Sequence, residues 1–443
     1  MKRFIEKIRN KKKYPRIRIK EGQNFPGVDV VFFERCGGVS KNRRTANKKL
    51  IGLYASLNVF TVAKRIFPEG SQEQREYMRA VAENICRAAD YIGTNLKQLT
   101  VLESRYGKGD DPHIVNAKRL EETAFYEEIL PEIPGVEAVK IRKRSGDVIM
   151  TDDPNTPIAI VGADAHPIAI KALKPDGRPV VCLVVGSHQG LLQYGVMQKA
   201  IDAMSETYDI VKDTVRIDIG PGLCPMSIDD YSPDKGDLSS TSYEVGMDLA
   251  QRYMRESKDA KSPYCGRGLK FFDAKELSRE NFKTDEEYIE YAALAGSEGR
   301  GRPIFRKHPF NAEKCVIDIE ALARQTAEVS GIDPDSIVAV GEGKYFSARG
   351  MVKKLDLNAL ARSHARVLEE AQKKGITPEE FIAKPESAIY RNDGMGRNIF
   401  IAKILDVLPD EKIDAPPVSP QIQVLVPRPS AAVTAGAAEA LCL

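Results

Sequence analysis

Asp164 and His166 flank Ala165 just ahead of Pro167, and His188 stands within Gly186-Ser-His-Gln-Gly190. An imidazole is the side chain whose proton moves near neutral pH, and together with a carboxylate it is a competent zinc ligand. Arg35 closes an apolar run before Cys36-Gly37-Gly38. A guanidinium there could grip a phosphate or carboxylate with two hydrogen bonds, or serve in a structural ion pair. Cys36 would act as a nucleophile only beside a base that lowers its pKa; no such partner is identifiable, so it reads as a packed thiol. Tyr390-Arg391-Asn-Asp393-Gly-Met-Gly-Arg397 adds two guanidiniums, again with ligand contact and fold-holding ion pair as alternatives. Gly341-Glu-Gly-Lys344 lacks the spacing of a phosphate loop.

These groups need elements to hold them. Val28 to Phe33 is an extended apolar run stopped by the double glycine, and Asp147 to Thr151, Pro157 to Val161, Pro179 to Val185 and Val215 to Ile219 are β-branched runs bounded by turn residues, so all five read as strands. Asn95 to Leu102 reads as a further short strand, and Gly220-Pro221-Gly222 as a turn that brings backbone close to its surroundings. Ser71 opens a helix whose Met78, Val81, Ala82, Ile85, Ala88 and Ala89 recur at helical spacing, and Gln193 to Ser205 reads as a second. Leu355 to Lys374, closing on Gly375 and followed by Thr377-Pro378-Glu379-Glu380, predicts a helical hairpin.

The chain has 443 residues, 29% of them charged, a net charge of +3 and no tryptophan. That profile excludes collagen-like, wholly disordered and membrane-spanning classes. The longest strongly apolar run, Val180 to Val185, is far short of the roughly 18 to 20 residues a span requires. Without the apolar core of a secretory signal the expected location is the cytoplasm. Seven scattered cysteines with no C-x-x-C pair read as reduced, mostly buried thiols. Residues 1–20 hold ten Lys/Arg against Glu6 alone, a block of +9 that leaves −6 for the remainder. Such a block attracts nucleic acid or another polyanion through a salt-sensitive field, or is simply a solvated leader. The organisation expected is a flexible arm over 1–20, a domain over 21–410 with insertions at about 226–242, 248–307 and 346–386, and a disordered Pro/Ala-rich tail over 411–443.

Arg35 with Gly37-Gly38-Val39-Ser40, Ser56-Leu-Asn58, Ala163-Asp164-Ala165-His166-Pro167, Gly220-Pro221, Tyr243-Glu-Val-Gly246 and the Tyr390 to Arg397 segment occur in one order. Together they resemble the YfiH/PgeF family of laccase-domain, polyphenol-oxidase-like proteins, from about Val30 to Ile404. The resemblance implies an α/β fold (α+β mixed), with mixed sheets flanked by helices and helical insertions. It also implies a zinc enzyme acting on purine nucleosides by phosphorolysis and adenosine deamination; bacterial relatives are also linked to peptidoglycan editing.

By the same resemblance the catalytic set would be Arg35, Asp164, His166 and His188, and the ligand-binding set Asn58, Tyr106, Arg391 and Arg397. The family holds its zinc with His, Cys and His. Here Tyr106 and Ala165 stand at the first two positions, and an ungapped match puts Gly186 at the third. Zinc would need a rebuilt site using His166 and His188 with Asp164 or Glu103, but neighbouring side chains in an extended chain face opposite ways, so His166 should point away from where residue 165 points. No metal is therefore the expectation. Two readings follow: an enzyme on purine nucleosides or phosphorylated relatives, or a metal-free relative that binds through its fold, basic arm and insertions.

Overall fold

The computed structural model describes residues 19–33, 67–94, 98–104, 114–117, 125–130, 139–162, 165–187, 189–220, 242–256, 279–286, 288–289, 303–307, 314–340, 361–362, 364–384, 387 and 398–405. In chain order these hold β1 (Ile19–Glu21), β2 (Val28–Phe33), α1 (Gln72–Tyr91), β3 (Thr100–Ser104), β4 (Ile114–Asn116), β5 (Phe125–Leu130), β6 (Val139–Gly146), β7 (Val148–Thr151), β8 (Ile158–Gly162), β9 (His166–Leu173) and β10 (Pro179–Gly186). After a π-helical turn at Gln189–Gln193 come α2 (Val196–Tyr208), β11 (Val211–Ile219), β12 (Ser242–Gly246), α3 (Met247–Glu256), β13 (Phe305–Lys307), β14 (Lys314–Asp318), α4 (Ile319–Val329), β15 (Ile337–Ala339), α5 (Ala365–Lys374), α6 (Pro378–Ala383) and β16 (Asn398–Ile404).

Seven strands form one mixed sheet in the order β1-β2-β16-β8-β3-β6-β5, six form a second in the order β15-β11-β9-β10-β7-β4, and β12-β14-β13 make a small third. Strand alternation explains the layers. On β2, Val28, Val30 and Phe32 face the core between the two large sheets, while Val31 and Phe33 face α1 and the α5–α6 hairpin. On β10, Val181, Leu183 and Val185 enter that same inter-sheet core, and Val180, Cys182 and Val184 face α2, α4 and the small sheet. Both faces of these strands are thus buried, and apart from the exposed Asp29 their sequences run apolar without alternation. The α/β architecture is the one expected.

Local signals agree with the expected ends. Gln74 donates its amide to the Ser71 hydroxyl at 3.1 Å, capping α1. Thr377 and Glu380 cap α6 reciprocally, at 3.1 and 2.8 Å. Gly375 closes α5 with φ 63°, a left-handed conformation that glycine adopts without steric penalty. The hairpin is described only from residue 361, so the expected helix start at Leu355 lies outside the described residues. β1 takes in Ile19 and Lys20, the last two residues of the basic block. The rest of that block, most of the expected insertions and the Pro/Ala-rich tail also lie outside the described residues. Cys86, Cys182 and Cys315 are buried free thiols, and burial pushes the Cys182 and Cys315 thiols up, away from the thiolate form. Among the described residues no helix is long and apolar enough to cross a membrane.

Candidate functional site at one end of the two sheets

The register brings many strand termini to one end of the molecule. In the seven-stranded sheet, Asn398 at the start of β16 pairs with Gly162 at the end of β8, and Phe400 pairs with Phe32 near the end of β2. β3 runs parallel to β8, so Ser104 joins them. In the six-stranded sheet, His166 at the start of β9 pairs with Gly186 at the end of β10, and Ile168 pairs with Ile219 at the end of β11. The two ends coincide. The amide of Gly220 donates to the carbonyl of Pro167 at 2.8 Å, and a Cβ at Gly220 would lie 2.5 Å from Phe32 Cε1 and 2.7 Å from Pro167 Cγ. Glycine is what lets the sheets meet there.

The expected site residues cluster around these termini in sequence. Arg35, Tyr106, Asp164 and His188 each lie two residues beyond a strand end (Phe33, Ser104, Gly162 and Gly186), and Arg397 directly precedes Asn398. All five lie outside the described residues, as do Asn58 and Arg391 and a further histidine, His113. His166 is described. It is fully buried and takes the register position shared with Ile168 and Ile170, on the face toward α2, whereas Ala165 belongs to the inter-sheet core. The two therefore sit on opposite sides of the sheet, as extended backbone requires.

Position 186 is more constrained still. A Cβ there would fall on the carbonyl oxygen of His166, with Ile168 Cδ1 at 3.1 Å and Leu191 Cδ1 at 3.3 Å. The segment just beyond is held tightly: Val185 donates to the Asp147 carbonyl at 2.9 Å, Leu191 to the Ser187 carbonyl at 2.8 Å, and the Gly190 amide to the Ser187 hydroxyl at 2.9 Å. Gly186→Ala is expected to cost about 1–3 kcal/mol, since the obstacle is backbone that cannot rotate aside. Equilibrium urea unfolding measures it; an unchanged midpoint would show that the β9–β10 pair relaxes freely.

Residues 29–230 match the model of the family described as multi-copper polyphenol oxidoreductase laccase. That match, to a little under half of the chain, likens it to the laccase-domain (YfiH) family. A DUF152 protein of Neisseria meningitidis is 17% identical, with 88% of this chain and 99% of that one covered and a TM-score of 0.42. The YfiH protein of Bacillus licheniformis, described as hypothetical, is 12% identical over 85% and 92%, TM-score 0.42. YlmD of Geobacillus stearothermophilus is 13% identical over 86% and 93%, TM-score 0.45. No curated protein matches the chain. The matched segment runs from β2 to just past β11, so β16, which lies between β2 and β8, comes from outside it.

The zinc that the family resemblance implies finds no ligand set among the described residues. A zinc site of that kind draws on clustered imidazole and thiolate ligands. Among the described residues no group of three or more His, Cys, Asp or Glu is placed to hold a metal ion. The two described histidines belong to different layers: His166 faces α2, and His364 stands at the N-cap position of α5, whose Val367 and Ala371 pack on the outer face of the other sheet. At the second family ligand position Ala165 offers a methyl group at 3% exposure. At Gly186, where an ungapped match with the family puts the third, a Cβ would strike the carbonyl oxygen of His166, and only a shifted match would bring His188 there instead.

Proposed function

We propose that this laccase-domain protein has given up the family zinc and serves as a binding protein, its ligand site lying at the shared end of the two sheets. What supports this reading is position 186. The backbone that would carry the third ligand admits no Cβ, and Ala165 supplies no donor atom in place of the family cysteine. Water activation and polarisation of a substrate by a metal both require a cation with an open coordination position. Without it, Arg35, Arg391 and Arg397 remain as groups for a phosphate, and Asn58, Tyr106, Asp164 and His188 as hydrogen-bonding groups for a purine nucleoside. The block over residues 1–20 adds a field for polyanions.

Elemental mass spectrometry of protein purified without a His-tag or added metal tests the first part. Absence of zinc, also after zinc is added back, is the expected result. Near-stoichiometric zinc overturns the reading, points to His113, His166 or His188 as replacement ligands, and restores nucleoside phosphorolysis as the activity to assay. A chain lacking residues 1–18 tests the second part. Affinity for a DNA or RNA oligonucleotide should fall on truncation, and in the full chain the log–log salt slope should approach about −0.7 to −0.9 per phosphate neutralised. Binding of a purine nucleoside should survive truncation.

A further inference from the structure

The most heavily desolvated charges among the described residues lie away from the candidate site, under the connection between β1 and β2. Lys171 on β9 and Asp218 on β11 form an ion pair of 2.6 Å with both side chains fully buried. Residues 22–27 close over it. The Gln23 amide donates to both carboxylate oxygens of Asp218, each at 3.2 Å, and the Gln23 carbonyl accepts from Lys171 Nζ at 2.8 Å. The Gln23 side chain donates to the carbonyls of Ile217 and Ser336 at 3.2 and 3.3 Å. The Phe25 ring stands over Lys171 Nζ, 5.8 Å from its centroid. Gly22 lies so close to Asp218 that a Cβ would strike Oδ2.

We propose that residues 19–27 are a hinged strap, clasped to the second sheet through Lys171 and Asp218, that opens locally while the sandwich stays folded. β1 is three residues long and, at the sheet edge, bonds to β2 alone. Most of the attachment of the strap is polar, and Phe25 is its buried apolar anchor. The pair is sealed only while the strap is down, so lifting the strap returns two charges to water and recovers their desolvation cost, offsetting the hydrogen bonds lost. An element with such opposed terms opens below the free energy of global unfolding. In sequence the basic block runs directly into β1, so the strap joins that block to the interior of the fold.

Two readouts on the full-length protein test this: hydrogen exchange of the amides at 19–25, and acylation of Lys171 by an N-hydroxysuccinimide ester followed by peptide mass spectrometry. The strap amides and the Lys171 amine should both react at least about tenfold faster than global unfolding allows, as reported by the amides of β9 and β10. Gly22→Ala should accelerate both by about tenfold more with β10 unchanged, because its methyl group displaces the strap from Asp218. The double variant Lys171→Met/Asp218→Leu, which removes the clasp and leaves no stranded charge, should likewise speed exchange at 19–25. Strap amides and Lys171 that react only at the rate of β9 and β10 would overturn the proposal, and so would a double variant whose strap stays as protected as wild type. If Gly22→Ala does not fold, the wild-type comparison and the double variant decide.

Discussion

Phe32→Ala is expected to destabilise the protein by about 3–5 kcal/mol, the range for truncating a fully buried aromatic side chain. Phe32 is completely buried between the two large sheets. Its ring lies 6.0 Å from that of Phe400 in a tilted pair and packs directly against Gly220. Two hydrogen-bonded sheets cannot slump into a vacated ring volume as a loose loop can, so both the transfer and the cavity terms persist. The neighbouring Phe33 provides a contrast. It faces α1 and meets Tyr91, which is 48% exposed, in an edge-on pair at 5.7 Å, so Phe33→Ala should cost less. Against a typical total stability of about 5–15 kcal/mol, the Phe32 loss leaves a marginal fold. Denaturant unfolding of both variants at matched slopes checks this; a Phe32→Ala cost below about 1 kcal/mol would mean that the sheets close up after all. Because Gly220 lies against this ring and donates its amide to the Pro167 carbonyl, this variant should also loosen the end where the candidate site lies.

The parts of this fold that could be read from sequence are those whose signal is local. Val30 to Phe33 and Pro179 to Val185 are strands whose two faces are both buried, and burial on both faces writes a continuous apolar run, whereas Val215 to Ile219 alternates, with Val215, Ile217 and Ile219 in one core and Arg216 and Asp218 between them. Ser71 and Thr377 mark their helices through caps that need only the next three residues. β9 is different. His166-Pro-Ile-Ala-Ile-Lys-Ala-Leu carries a lysine in its middle, and nothing near it says that this lysine is interior; its partner Asp218 is 47 residues away. β16 has an ordinary apolar sequence, and its place between β2 and β8 is a matter of topology alone. α4 carried a readable signal, Asp318 ahead of an apolar-periodic segment, and its carboxylate does cap the Ala321 amide at 3.0 Å.

The candidate site follows the same division. Its motif order points to the family, and five of the named residues fall, in sequence, within two positions of strand termini that the register brings to one end. What no motif could reveal is that position 186 is filled by the carbonyl of its cross-strand partner. A glycine in a motif is ambiguous until the neighbouring strand is in place. It can reflect a turn, a close approach or simple loss of a ligand, and here it is a close approach at a position where the family resemblance asks for a ligand.

The buried pair should show the asymmetry that separates removing one charge from removing two. Asp218→Ala is expected to cost about 3–5 kcal/mol, because it strands the Lys171 ammonium in the inter-sheet core with the Gln23 carbonyl as its remaining partner. Lys171→Met/Asp218→Leu should recover most of that loss, since matched apolar side chains carry no desolvation penalty and leave only the Gln23 amide and carbonyl to find new partners. A double variant as unstable as the single one would show instead that the pair contributes net stability. Titration gives an independent reading. Burial holds the Lys171 amine below its ordinary range; Asp218 pulls the other way, and Arg216 adds to the depression. Between that lowered value and the ordinary lysine range the unfolded chain binds more protons than the native one, so this group makes stability rise with pH across that interval. The difference in unfolding midpoint between wild type and Lys171→Met should therefore shift in favour of wild type from pH 8 to pH 10. A difference that moves the opposite way over that interval would mean that Asp218 outweighs desolvation and that the ammonium is favoured in the folded protein.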